Sequence, residues 1–260
     1  MDNQKYYEEY DWSNFKDASV NYDIIASLIP ENVHSIIDIG CGNGLITNRL
    51  SEKYDVLGVD RSFAALENVK CNKLQASCDQ VSVENDSYDL VLSSELLEHL
   101  DDQTFTNTLV ELKRISKKYL LLSVPFDESL NKGMVQCPSC NLIYHRCYHM
   151  RKFSLKSFEQ LFPEYKLITH KTFGINVRVY NETISKLKQK LTPASAWIPY
   201  YMAAKGQRDT FCPKCETKFA YPYNFNPIAF GLDCLNAIIT KKIPFHLVVL
   251  LEFTLPASPG

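Results

Sequence analysis

Ile36-Ile37-Asp38-Ile39-Gly40-Cys41-Gly42-Asn43-Gly44 is the stretch whose reading decides the fold. Ile36, Ile37 and Ile39 make an apolar run broken only by Asp38, the pattern of a strand covered on both faces of a sheet. Gly40, Gly42 and Gly44 follow at alternate positions, and residues 45–50 read as a helix behind them. Closely spaced glycines let a backbone turn sharply and let a ligand approach with no Cβ in the way. The next strand, 55–60, ends in Asp60, a carboxylate placed to accept both hydroxyls of a ribose.

With Val59-Asp60 closing the second strand, Asp-Ile-Gly-Cys-Gly-Asn-Gly resembles the class I S-adenosylmethionine-dependent methyltransferases. The spacing departs from the dinucleotide-binding Gly-x-Gly-x-x-Gly, in which a pyrophosphate rests on the helix end. A glycine turn in some other nucleotide-binding α/β domain is the competing reading. The resemblance implies an α/β, Rossmann-like, seven-stranded class I methyltransferase sheet. It also implies S-adenosyl-L-methionine as cofactor, held by Asp38, Gly40, Cys41, Gly42, Gly44, Asp60, Arg61 and Ser94, with Ser77, Cys78 and Asp79 at the adenine. The remaining strands are expected at 73–79, 87–94, 119–125, 165–170 and 246–253, the last antiparallel to the others. Helices are expected at 22–29, 62–69, 104–117, 182–191 and 228–239.

Glu95-Leu96-Leu97-Glu98-His99-Leu100 follows the central strand. On a helix, Glu95, Glu98 and His99 fall at i, i+3 and i+4 and project from one face. Two carboxylates and an imidazole converging there repel each other or lose water unless a positive charge lies between them, and a divalent ion such as Mg2+ or Mn2+ answers that need. The plainer reading packs His99 near the methionine end of the cofactor and leaves Glu95 solvated. Glu-x-x-Glu-His is similar to the metal-binding segment of small-RNA 2′-O-methyltransferases and of ubiquinone-pathway O-methyltransferases. The small-RNA resemblance implies a further histidine just after the fifth strand, here His149 with His145 behind it.

Cys137-Pro138-Ser139-Cys140 and Cys212-Pro213-Lys214-Cys215 are two copies of one Cys-Pro-x-Cys unit. Each turn points two thiolates at one ion, and four thiolates complete a closed tetrahedral Zn2+ site; a redox dithiol is the competing reading for one pair alone. The left-handed residue after each knuckle would be Asn141 and Glu216, and because Glu takes that conformation less readily than Asn, the second turn is expected to differ. Cys147 is the spare thiol placed to compete for the zinc. In the resembled fold both segments leave the carboxyl edge of the sheet, so the ion would staple an insert there, beside the active site. The expected organisation is an arm or lid at 1–30, a cofactor-binding core at 31–130, a first knuckle and His segment at 131–152, core continuation at 153–180, a helical insert with the second knuckle at 181–240, and the last strand and tail at 241–260.

The 260 residues, 45% apolar, suit one large domain with an insert. A net charge of −2 gives no general attraction to nucleic acid or to a membrane surface. The first residues form neither a basic n-region nor an apolar h-region, and the apolar run 245–251 is too short to span a bilayer, so a cytoplasmic protein without a membrane partner is expected. Nine cysteines in that setting point to reduced thiols or metal rather than disulfides.

Methyl transfer from a sulfonium is an in-line displacement that needs alignment and exclusion of water. For a hydroxyl acceptor, a cation on Glu95, Glu98, His99 and His149 would favour the alkoxide, or His145 or His149 would act as general base. The Cys-Pro-x-Cys insert followed by a His/Arg-rich segment looks similar to enzymes of bacterial surface-polysaccharide and capsule assembly, including O-methyl phosphoramidate decoration. That resemblance implies a small-molecule or glycan-precursor acceptor: a sugar, a nucleotide-linked sugar or a phosphoramidate. Small RNA, a quinol, and a non-catalytic zinc-stapled binding protein are the alternatives, the first opposed by the acidic balance.

Overall fold

The computed structural model describes Glu8 and residues 22–203 and 208–254. Its strands, in chain order, are β1 (Ser35–Ile39), β2 (Asp55–Asp60), β3 (Asn72–Gln75), β4 (Tyr88–Ser94), β5 (Ser116–Pro125), β6 (Met134–Gln136), β7 (Ile143–His145), β8 (Tyr165–Arg178), β9 (Asp209–Phe211), β10 (Lys218–Ala220) and β11 (Lys242–Phe253). The described chain divides into two compact units. The sheet unit takes its residues from Asn3–Phe126, Phe153–Gly174 and His246–Gly260, and the cysteine unit from Asp127–Lys152 and Ile175–Phe245.

The sheet unit carries the seven-stranded sheet in the order β3-β2-β1-β4-β5-β11-β8. β3, β2, β1, β4 and β5 run parallel, and β11 lies antiparallel on β5. Alternate side chains of one strand enter different cores. Ile37 and Ile39, Val91, Leu120 and Leu122, and Val249 pack with the helices Asp102–Ile115 and Leu155–Leu161. Ile36, Leu90 and Leu92, Tyr119 and Leu121, and Val248 pack on the other face with Ile25 and Leu50. A sheet covered twice explains the near-continuous apolar strands, since neither face needs polar side chains. Asp101 caps the helix Asp102–Ile115 by accepting from Gln103 N and Thr104 N, both at 3.1 Å.

Most expected elements are present with altered ends. The third strand stops at Gln75, where the chain turns back through a bridge between Ser77 and Gln80. The sixth and seventh strands are longer than expected, reaching Arg178 and starting at Lys242. The glycine helix shrinks to Thr47–Leu50: Gly44 is left-handed, and the first helical bond runs from Asn48 N to Gly44 O at 2.9 Å. Of the expected 1–30 arm, residues 1–7 and 9–21 lie outside the described chain.

The cysteine unit is built on two short antiparallel hairpins, β6–β7 and β9–β10. Its core is small: Val135, Cys137, Tyr144, Ile198, Cys212 and Tyr221. The helices Glu182–Leu191 and Pro227–Ile239 complete it, each opened by an asparagine N-cap, Asn181 and Asn226.

Candidate functional site

In the sheet unit the residues read as cofactor-binding gather at the carboxyl ends of β1 and β2. Gly40 N and Cys41 N both donate to Val59 O, at 2.8 and 3.0 Å, which ties the glycine loop to β2. Gly42 N donates to Asp60 Oδ2 at 2.9 Å and Ser62 N to Asp60 Oδ1 at 2.8 Å. Burial raises the Asp60 pKa, opposed by those two bonds and by Arg61. Gly40 has φ +80°, and a Cβ there would stand 2.9 Å from Leu96 Cδ2. Glycine therefore lets the turn after β4 close directly onto the loop.

Asp38 is buried, and Thr47 Oγ1 donates to its Oδ2 at 2.6 Å. Burial pushes Asp38 up to about 7; the Thr47 bond opposes the rise and nearby Asp60 adds to it. Burial also raises the Cys41 thiol well above its ordinary value, with Asp38 and Asp60 contributing. Ala76 N donates to Asp60 O at 3.1 Å, so Ser77, Cys78 and Asp79 continue from the strand beside the ribose acid. There Ser77 bonds Asp79, and Cys78 Sγ lies 3.3 Å from Thr108 Oγ1. Glu8, absent from the sequence reading, caps the helix Phe63–Leu66 that follows β2: its carboxylate accepts from Phe63 N at 3.0 Å and Ala64 N at 3.2 Å, beside Ser62. A half-buried carboxylate held by two backbone amides beside a glycine loop fits the ribose part of S-adenosyl-L-methionine.

The turn after β4 departs from the expected helix. Glu95 is left-handed at φ +53°, and only Leu97–His99 is helical, as one 3-10 turn. Glu95 therefore does not share a face with Glu98 and His99. Its Oε1 accepts from Ser123 Oγ at 3.1 Å and lies 3.2 Å from Nδ1 of the buried His246, which stacks on Phe173. As a metal ligand beside Glu98 and His99, Glu95 is corrected: its Oε1 is engaged by Ser123 and His246 within the sheet unit. Glu98 is buried at 1% exposure, with Oε1 3.8 Å from His99 Nε2. Ser94 ends β4 opposite Ser123, whose carbonyl accepts from Glu95 N at 2.9 Å.

In the cysteine unit the four knuckle sulfurs meet. Cys137 Sγ lies 3.6 Å from Cys215 Sγ and Cys140 Sγ 3.6 Å from Cys212 Sγ, and all four lie within 4.8 Å of one another. Thiolates at the corners of a tetrahedron with Zn–S bonds of about 2.3 Å would stand roughly 3.8 Å apart, so the donor set fits zinc. The two turns do not differ. Asn141 has φ +56° and Glu216 φ +58°. Asn141 N bonds Cys137 O and Cys137 N bonds Leu142 O; Glu216 N bonds Cys212 O and Cys212 N bonds Thr217 O, at 2.9 to 3.0 Å throughout. Two hairpin bonds per turn hold Glu216 in the conformation its side chain disfavours. Cys147 is outside the quartet.

His145 and His149 also belong to the cysteine unit, with Glu128 as the partner that sequence reading missed. Glu128 bonds His149 Nδ1 and lies 3.8 Å from His145 Nε2, and the two imidazoles stack at 4.9 Å. Burial pushes His145 down to about 3, against the pull of Glu128. Gly133 is tight against that ring, since a Cβ there would stand 2.0 Å from His145 Nε2.

The Methyltransferase domain family matches residues 14–167, more than half of the chain. The chain belongs to that family. A ubiquinone biosynthesis O-methyltransferase of Rickettsia bellii is 36% identical over 95 residues, 32% of this chain and 38% of that protein. An uncharacterized methyltransferase of Mycobacterium bovis is 28% identical over 94 residues, 33% of this chain and 48% of its own length. The chain thus matches less than half the length of these curated relatives. The solved S-adenosylmethionine-dependent methyltransferase of Archaeoglobus fulgidus superposes with TM-score 0.52 at 15% identity, covering 89% of this chain and 92% of its own. One from Methanosarcina mazei gives 0.51 at 15%, covering 91% and 99%. At such identities the likeness is one of fold.

Proposed function

We propose that the protein O-methylates a hydroxyl acceptor, with the Glu98–His99 pair receiving the acceptor's proton. One observation carries the reading: Leu96 packs on Gly40, so the turn bearing Glu98 and His99 adjoins the cofactor loop within one unit. S-adenosyl-L-methionine supplies an electrophilic methyl group when bound. The chain supplies the rest. Asp60 and the Gly42 amide orient the ribose side, and buried Glu98 stabilises His99 as an imidazolium once it has taken the proton. This reading needs no ion on Glu95. Metal assistance is a second reading, supported by the Glu128, His145 and His149 ligand atoms, which lie within 4.8 Å of one another.

The acceptor follows two lines of likeness. The Cys-Pro-x-Cys insert supports a sugar, nucleotide-linked sugar or phosphoramidate oxygen of a bacterial surface-polysaccharide precursor. The relatives named ubiquinone biosynthesis O-methyltransferase support a quinol ring instead. The cysteine quartet we assign to structural zinc.

The test compares Asp60→Ala with Glu98→Gln, using calorimetry for S-adenosylhomocysteine and methyl transfer from labelled donor to sugar nucleotides and to catechols. Asp60→Ala should weaken cofactor binding by at least about ten-fold. Glu98→Gln should keep that binding and lower kcat roughly a hundred-fold. Equal loss of cofactor affinity in both variants would reject the division of labour. Unchanged turnover after verified chelation excludes the metal-assisted form.

A further inference from the structure

Two helices of the cysteine unit are amphipathic in the reverse sense to a water-soluble protein. Glu182–Leu191 and Pro227–Ile239 meet through charge and amide rather than through aliphatic side chains. Lys188 Nζ lies 2.7 Å from Asp233 Oδ1 and 2.9 Å from Oδ2, with Lys188 only 3% exposed. Asn236, fully buried, accepts from Asn181 N at 2.8 Å. Arg178 closes the far end by donating to Ala237 O at 2.7 Å and to Thr240 O. Of the helix Pro227–Ile239, the side turned inward is Ala229, Leu232, Asp233 and Asn236. What faces outward is Ile228, Phe230, Leu235, Ile238 and Ile239, with Ile238 82% exposed.

A helix normally buries its apolar stripe and solvates its charges, because moving apolar surface out of water is the main driving force for folding. Here Lys188, Asp233 and Asn236 are paired inside, and the apolar surface is left for something else. The surrounding charge says what that is. Lys241 and Lys242 are exposed just past the end of this helix and Lys186 and Lys190 are exposed on the helix paired with it, whereas Glu182 is the one exposed acid on these two helices and the Lys241–Lys242 step. A two-fold contact between copies would oppose these lysines to their own images. An anionic lipid surface would neutralise them while accepting the apolar side chains into its acyl boundary. Among the described residues no helix is long and apolar enough to cross a membrane. The fitting geometry is therefore a helix lying in the plane of the interface.

We propose that the apolar outer face of Pro227–Ile239, with the exposed Lys241 and Lys242 at its end and Lys186 and Lys190 on the paired helix, docks the protein on an anionic membrane surface. The inference stands apart from the choice of acceptor and from the methyltransferase chemistry.

The experiment is co-sedimentation of the full chain with extruded vesicles of phosphatidylcholine alone and of phosphatidylcholine with an equal amount of phosphatidylglycerol. The protein should pellet with the anionic vesicles, and added salt should weaken this. Ile238→Glu should reduce the binding roughly ten-fold or more. The paired Lys241→Glu, Lys242→Glu variant should lose the preference for phosphatidylglycerol. Ile238 is too exposed for its loss to unfold the unit, and unchanged thermal melting and S-adenosylhomocysteine binding check this. No pelleting with either vesicle, or pelleting that Ile238→Glu leaves intact, overturns the proposal. So does light scattering that shows a dimer which Ile238→Glu dissolves, because a second copy then covers the face.

Discussion

The sheet unit and the cysteine unit solve the same problem by opposite means. In the first, β1, β2, β4, β5 and β11 each feed two cores, and residues such as Leu90, Leu92 and Leu121 are wholly buried. Burial of this extent stabilises a fold without help. The second has a six-residue core of which two members are cysteines, and its helix pair spends its aliphatic side chains on the outside. A unit so poor in buried apolar surface needs a cross-link, and the sulfur quartet provides the place for one.

The widest separation between the units should come from Cys212→Ser. Loss of a structural zinc site removes stabilisation on the order of 10 kcal/mol from the element that folds around it. Hydrogen exchange should then accelerate across β6, β7, β9 and β10 while β1, β4 and β5 keep their protection. Simultaneous loss of protection in both sets would mean that the units do not fold as distinct bodies.

The converse change is Leu92→Ala, which should cost the sheet unit roughly 2–5 kcal/mol through transfer and cavity terms. Its signature is a lower melting temperature with the metal content of the chain unchanged from that of the parent protein. Zinc lost in parallel would refute the distinction.

A gentler effect belongs to pH. With Asp38 pushed up to about 7 by burial, the folded chain holds that proton more tightly than the unfolded chain, whose carboxyl titrates near its ordinary 3.8. Sheet-unit stability should therefore fall as pH rises from about 4 to 7 and level off above. Asp38→Asn keeps an acceptor for Thr47 and should flatten that slope in urea titrations. An unchanged slope would show that another group is responsible.

The smallest change is Asn226→Ala. Asn226 Oδ1 accepts from Ile228 N and Ala229 N at 3.0 Å, and losing this cap should cost about 1 kcal/mol. The loss should appear in urea melts of the cysteine unit and leave cofactor affinity untouched.

Legibility followed the same division. β1 and β2 were readable because an apolar run, an acid and glycines punctuate each other within a few residues. The quartet was readable because the Cys-Pro-x-Cys spacing is local and repeated. What failed was non-local. Residues 95–99 have helical spacing, but Ser123 and His246 pull Glu95 into a left-handed conformation, and His246 lies 151 positions away in the chain. Glu216 looks unsuited to its turn until the two hairpin bonds that impose it are known. The pairing of Glu128 with His149 could not be read because no local period links them. Nor does periodicity say which side of the helix Pro227–Ile239 faces inward: its aliphatic residues suggest burial, and the Lys188–Asp233 contact reverses it.

The spacing of the two knuckles fixes an order of events on the ribosome. Cys140 and Cys212 are 72 positions apart, so the first pair of thiols leaves the exit tunnel well before its partners do. At ordinary elongation speeds that interval is roughly four to fourteen seconds. For that time a nascent chain carries a vicinal dithiol with half a ligand set, open to oxidation or to a mismatched ion. If the quartet takes the zinc assigned to it, the speed of translation between the knuckles bears on how many chains are correctly metallated.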